Sequence, residues 1–190
     1  MDVTQTHEEV ETLTVDVELP GHAPRTETPI YARTHKQRVA VDNRCWVCRR
    51  TAAESGHPLE THHHPIERSL AEMIDFELVQ ADCMAGEYGD AARQFDWEDF
   101  WDGSTTQTYA VTWEDNTVEQ VTIRVPADPY KFVDNMLVNG RVLCKEHHTG
   151  KDAGMHAMPF PLVLGEKYGR KGCRFTSSQI LHHGDEVKTA

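Results

Sequence analysis

No apolar run in this chain approaches the length that crosses a membrane, and its opening, MDVTQTHEEVETL, carries acid where a secretion signal would carry base and then an apolar stretch. These absences predict a soluble, intracellular protein with no membrane partner. No internal repeat divides the chain. Cysteine is scarce: there are five in 190 residues, an odd number, two of them in a tight CWVC. In a reducing compartment that spacing points to metal rather than disulfide. Base is scarce too, with 19 Lys and Arg against 31 Asp and Glu, a formal net charge of −12. Taken as an average, that charge argues against a nucleic-acid partner, because phosphate backbones repel acidic surfaces.

The average conceals a segregation. Residues 71–130 hold 14 acidic and 2 basic side chains, and residues 1–30 hold 7 acidic and 1 basic. The remainder, 31–70 with 131–190, holds 16 basic and 10 acidic side chains, a net of +6. A basic sequence is thus interrupted by an acidic block. The predicted division is an acidic N-terminal tail, short strand and connector over 1–36, a core over 37–70 plus 131–190, and an acidic insertion over 71–130. With 38% hydrophobic residues and four Trp, the chain can fill a core of its own.

Local patterns predict an α+β protein. Leu13, Val15, Val17 and Leu19 alternate with polar residues, a short half-buried strand ended by Pro20-Gly21. Residues 22–36, mixed and rich in Thr, Pro and Arg, read as a connector. Ile66, Leu70, Met73, Ile74 and Leu78 recur at helical spacing, which predicts one helix over 66–83. Trp97 and Trp101, four apart, share one face of a short helix or turn. Tyr109, Val111 and Trp113 alternate on one arm and Val121, Ile123 and Val125 on another, a hairpin across a polar turn. MLVNGRVLC reads as strand, with Asn139-Gly140 as a turn signal. KEHHTGKDAGMHAM can open a helix, although Gly150 and Gly154 weaken it.

Chemistry concentrates in two half-sites, Cys45-x-x-Cys48 and Cys144-x-x-His147. Thiolate and imidazole are the ligands Zn²⁺ prefers, and a two-residue gap lets two side chains grip one ion from a single turn. Two such pairs predict one structural Zn²⁺ that clamps the chain across the acidic block. The hairpin and the tryptophans then predict that most of this block is an excursion that folds on its own. Cys83 and Cys173 have no partner at ligand spacing and read as ordinary thiols.

Beside the half-sites stand LETHHHP (59–65) and NGRVLCKEHH (139–148). Together with the CxxC they resemble the His-Asn-His (HNH) endonucleases of the ββα-metal type. In that family a strand ends in a His-His or Asp-His pair, and an Asn precedes the second zinc half-site by a few residues. A His directly after that half-site begins the helix. The order here is Cys45, Cys48, His62, His63, Asn139, Cys144, His147, His148, spread over 44–68 and 135–156. The resemblance implies a small zinc-held ββα-metal core interrupted by an acidic insertion that holds a helix and a β-hairpin. It implies His62 and His148 as ligands of a catalytic Mg²⁺, Mn²⁺ or other divalent cation, with Asp152, one helical turn further on, as a third. It implies His63 as general base and Asn139 as the residue that fixes the base's loop through hydrogen bonds to backbone. Asn135 competes for that role, and the offset to Cys144 favours Asn139. His64 has no family role and reads as solvent-facing or phosphate-contacting. Two features depart from the pattern: 75 residues separate His63 from Asn139, where the family has a short connection, and His147 stands where Cys is more usual.

The activity so implied is metal-dependent DNA cleavage. Phosphodiester hydrolysis needs a water deprotonated near neutral pH, which suits imidazole, and positive charge on the non-bridging and leaving 3′ oxygens, which a divalent ion supplies. Basic flanks, Arg49, Arg50, Lys145 and Lys151 among them, would contact phosphates of double-stranded DNA without reading its sequence. Stand-alone nucleases of this kind occur in phages and mobile elements, so the resemblance implies a phage-like protein in a host cytoplasm. The rival expectation is a non-catalytic zinc module whose acidic insertion binds a protein partner or mimics nucleic acid. The intact set of His62, His63, Asn139 and His148 favours catalysis.

Overall fold

The computed structural model describes residues 11–17, 27–113, 115–150, 154–156, 168, 170 and 175–182. It divides into two units, residues 1–18 with 174–190 and residues 19–173. In the smaller unit β1 (Glu11–Val17) pairs antiparallel with β6 (Phe175–His182), Glu11 opposite His182 and Val17 opposite Phe175, with a bulge between Thr14 and Val15. The strand thus begins before Leu13, and the expected stop at Pro20-Gly21 lies outside the described residues.

In the larger unit the expected connector is mostly a helix, α1 (Pro29–Val41). Thr28 caps it by accepting from Tyr31 N at 3.2 Å, and Pro29 occupies the first turn, where a missing N–H breaks no bond. A boundary at 36/37 would cut this helix in two. Its only buried residue is Thr34. That hydroxyl donates to Ile30 O and Asp134 O and accepts from Met136 N at 3.0 Å, so polar bonds fasten α1 to the segment before the second metal half-site.

The helix expected over 66–83 is broken. A 3-10 turn (Arg68–Met73) ends at extended Ile74, and α3 (Phe76–Ala85) starts afresh from its cap Asp75. The break has a tertiary cause: Asp75 N donates to Tyr168 O at 2.8 Å and Arg170 N donates to Met73 O at 2.9 Å, which draws residues 73–75 into strand-like pairing. Ile66, Leu70, Met73 and Ile74 are all buried, whereas Leu78 is 47% exposed because the second helix has its own phase.

The acidic block does not fold as a separate excursion. Phe76 and Val79 of α3, Trp97 and Phe100 of α5 (Trp97–Trp101), and Phe132 of α6 (Tyr130–Val133) are buried in common. Trp97 stacks on Phe132 at 5.3 Å, Phe95 meets the same ring edge-on at 5.3 Å, and Phe76 lies 6.1 Å from it. The block's aromatic side chains therefore complete the core, while its carboxylates, such as Glu77, Asp90, Glu98, Asp99 and Asp102, lie on the surface. The expected hairpin is present, β3 (Thr105–Thr112) with β4 (Val118–Val125), and its register sets Tyr109 opposite Val121. It buries Val111, Val121 and Ile123 in a small cluster of its own, and Trp113 stays 40% exposed at its tip.

Two further strands carry the residues of interest. β2 (Glu60–His63) pairs antiparallel with β5 (Gly140–Leu143), His62 opposite Arg141 and His63 opposite Gly140. Gly140 opens β5 rather than closing a turn. A Cβ there would meet Met136 O at 2.3 Å, so only glycine fits the tight bend of residues 135–139. α7 (Lys145–Thr149) follows β5 at once. Two further short helices are α2 (Ala52–Ser55) and α4 (Asp90–Arg93), and no helix among the described residues is long and apolar enough to cross a membrane.

Candidate metal centres and the cleft beside them

Cys45 and Cys48 sit on a turn closed by Arg49 N donating to Cys45 O and Cys45 N donating to Arg50 O, with Arg49 at φ 63. Trp46 N donates to Val142 O at 2.7 Å, which staples this turn to β5. Cys144 follows β5 as the N-cap of α7, which turns His147 back toward it. Four ligand atoms converge: Cys48 Sγ lies 3.8 Å from Cys144 Sγ, Cys45 Sγ 3.8 Å from His147 Nδ1, and Cys144 Sγ 3.1 Å from that same nitrogen. A tetrahedral ion with metal–sulfur bonds of about 2.3 Å sets its ligand atoms about 3.8 Å apart. The Cys48–Cys144 spacing fits, the two distances to His147 fall on either side of the shorter sulfur–nitrogen separation, and Cys45, Cys48, Cys144 and His147 can hold a metal ion.

The electrostatics agree. Burial pushes the Cys45 thiol up, but backbone hydrogen bonds at Cys144, Cys48 and Val47 outweigh it and hold the thiol below its ordinary value. Cys144 is pushed up, first by burial and then by the neighbouring Cys45 and Cys48. Thiolates so close repel one another unless a cation lies between them.

Successive residues of α7 point apart, so His148 leaves that cluster and meets β2. Its Nδ1 is hydrogen-bonded to the Glu60 carboxylate, and its Nε2 lies 3.2 Å from His156 Nε2. His62 completes a group of three imidazoles whose ligand atoms lie within 4.8 Å of one another. Its ring meets those of His148 and His156 edge-on at 5.4 and 4.9 Å. His62 is 2% exposed, and its Nε2 lies 2.8 Å from Glu67 Oε1 without the alignment of a hydrogen bond. A buried, misaligned nitrogen beside a half-buried carboxylate and two further imidazoles is a donor set that a divalent cation satisfies. The Glu60–His148 pair has the form by which a carboxylate fixes the tautomer of a metal-binding histidine. Burial pushes the Glu67 carboxyl up, and His62 with the other imidazoles around it more than reverses this.

His63 follows His62 on β2 and points to the other face, as neighbours in a strand do. It is tied to Asp134 at 3.2 Å and stacks on Tyr31 of α1 at 5.7 Å. A cleft of about 310 Å³ runs past it, lined by Tyr31, His63, Glu67, Arg68, Asp134 and His156. Asn139, fully buried, spends its amide on backbone: Oδ1 accepts from Ile66 N at 2.9 Å, and Nδ2 donates to Ile66 O and Val133 O at 2.8 Å each. Its own carbonyl accepts from His64 N at 3.1 Å. Asn135 instead caps its own turn by accepting from Leu137 N.

Some expectations need correction. His64 is neither solvent-facing nor placed to contact phosphate; it is 9% exposed and packs between Trp46 and Tyr88. Burial, then the charge of Arg141, lowers its pKa to about 4. Cys83 is buried, and burial with the nearby Asp82 pushes its thiol up to about 12. Arg49, Arg50 and Lys145 are exposed, with Arg50 paired to Glu146 at 3.4 Å. Asp152 and Lys151 lie outside the described residues, as does Cys173. The residues that sequence reasoning passed over are His156, Asp134, Glu67 and Glu60. No ligand spacing marks His156, which returns to His148 through Met155 N donating to His147 O and His156 N donating to His148 O. Asp134 stands beside the weighed Asn135 without any signal of its own.

Set against protein-family models, curated proteins and solved structures, the chain finds no match.

Proposed function

We propose that the chain is a metal-dependent DNA endonuclease of the HNH type, held together by a structural Zn²⁺ at Cys45, Cys48, Cys144 and His147. The observation that carries this reading is the divergence of two successive histidines on β2. His62 turns toward His148 and His156, a donor set for a divalent ion, while His63 turns toward the cleft that His156 also lines. His156 takes the third ligand position. Held by His62, His148 and His156, a divalent ion would supply positive charge to the scissile phosphate and the leaving 3′ oxygen. His63 takes the proton of a water whose oxygen bonds to phosphorus, and the P–O3′ bond breaks with its electron pair on the leaving oxygen. Asn139 ties the backbone at Ile66 to that at Val133, and with it the strand end that bears His63. Arg49, Arg50 and Lys145 supply phosphate contacts along double-stranded DNA.

The test is nicking of supercoiled plasmid with Mg²⁺, Mn²⁺, Ni²⁺ or Zn²⁺. The wild type nicks, and His63→Ala abolishes nicking while DNA affinity stays nearly intact, because a general base acts in the transition state more than in ground-state binding. A metal-loaded wild type that binds DNA and nicks with none of these ions overturns the reading in favour of a non-catalytic zinc module.

A further inference from the structure

Asp134 carries a carboxylate at a place hostile to charge. It is 1% exposed and caps the C-terminus of α6. Three side chains converge on it: Thr28 Oγ1 donates at 2.9 Å, Arg68 Nε donates at 3.2 and 3.4 Å to its two oxygens, and His63 Nε2 lies 3.2 Å from Oδ1. Its backbone is pinned as well, N donating to Tyr130 O at 3.0 Å and O accepting from Thr34 Oγ1 at 3.2 Å. Burial pushes this carboxyl up, but the bonds from His63 and Thr28 and the charge of Arg68 outweigh that and hold it below its ordinary value. It is an ionised acceptor with nothing to donate.

A neutral imidazole has one N–H and one bare nitrogen. Facing a fixed carboxylate, the N–H of His63 must be at Nε2, which leaves Nδ1 bare. Tyr31, stacked within 19° of parallel, limits rotation of the ring out of that plane. We propose that Asp134 is the positioning residue of His63: it selects the Nε2–H tautomer and the ring orientation, so that Nδ1 is the atom that receives the proton of water. This rests on the reading of His63 as general base. When that proton arrives, the imidazolium keeps Nε2–H against the Asp134 carboxylate, so the new charge forms beside a partner already in place.

The test joins a spectroscopic readout to kinetics. In the wild type, metal-loaded and folded, ¹⁵N NMR of the imidazole of His63 should report the Nε2–H tautomer. Asp134→Asn keeps shape, but its amide can donate to Nε2 and so favours the opposite tautomer. The expected result is a kcat lower by about 10³-fold or more with DNA affinity unchanged, and an Nδ1–H signature for His63. Asp134→Glu, which restores the acceptor, should recover part of the rate. An Nδ1–H tautomer in an active wild type overturns the inference whether or not any variant folds. So does a folded Asp134→Asn that loses less than about tenfold. A wild type that nicks nothing overturns the endonuclease reading instead, and is told apart by the absence of any rate to lose.

Discussion

Replacing Asn139 by alanine removes three hydrogen bonds at one stroke, those to Ile66 N, Ile66 O and Val133 O. The site is fully buried, so no water replaces the lost amide. Each buried backbone group left without a partner costs about 1–3 kcal/mol, and three that share one neighbourhood relax together, which sets the expected loss at about 3–6 kcal/mol. Against a total stability of about 5–15 kcal/mol this is a large fraction. For a chain of this size it lowers Tm by roughly 10–20 °C. Asn139→Asp keeps the acceptor for Ile66 N but sets a negative oxygen against two carbonyls, so it should destabilise at least as much. Urea unfolding of the metal-loaded protein gives the free energy. A loss under about 1 kcal/mol in the alanine variant would refute the reasoning, since it would mean the loop is held by something other than this amide. Below its lowered Tm, Asn139→Ala should still nick far more slowly than wild type, because the same bonds join the segments that carry His63 and Asp134.

Protein purified without added metal should carry one Zn²⁺ per chain; Cys45→Ser or a strong chelator should remove it and unfold the larger unit, and a melt unchanged by either would count against a structural ion. His156→Ala should weaken Mn²⁺ or Ni²⁺ binding by about 10–100-fold in calorimetry without changing the zinc content, whereas unchanged affinity would leave His156 outside the ligand set. Excising the hairpin by joining residue 104 to 126 should leave a folded protein, since its apolar side chains pack mainly on one another; replacing 75–128 with a Gly/Ser linker should not fold, because Phe76, Trp97 and Phe100 leave with it. A cooperative melt for the larger deletion would show that Phe132 needs none of them.

What could be read from residues alone was what is local. Ligand pairs three apart, the alternating hairpin and the Trp97–Trp101 face all declare themselves within one turn or one strand. α1 did not, because a helix that buries only Thr34 has no apolar stripe, and its anchors are hydroxyl bonds to residues about 100 positions away. The break at Ile74 was invisible for a related reason: the local period runs through it, and the pairing with residues 168–170 that overrides the period is distant in sequence. Charge misled in a different way. The acidic block was parted from the core by its carboxylates, yet the packing is decided by the aromatic rings between them. In the candidate site, the Cys/His cluster was legible by spacing and His62 and His148 through the family resemblance, whereas Asp134 and His156 are defined only by where the fold brings them.

The Cys45/Cys48 turn and the Cys144/His147 turn are far apart in sequence, Cys144 lying 96 positions after Cys48. On a ribosome that adds about 5–20 residues each second, the first pair waits roughly 5–20 s for the second to be made. During that interval the nascent chain offers a two-thiol chelate with neither its third nor its fourth ligand, a form open to oxidation and to exchange with other metal carriers. Because β5, α6 and the aromatic ring of Phe132 are also made late, the acidic segment emerges before most of the surface it packs against. Capture of the ion is therefore among the last events of biosynthesis.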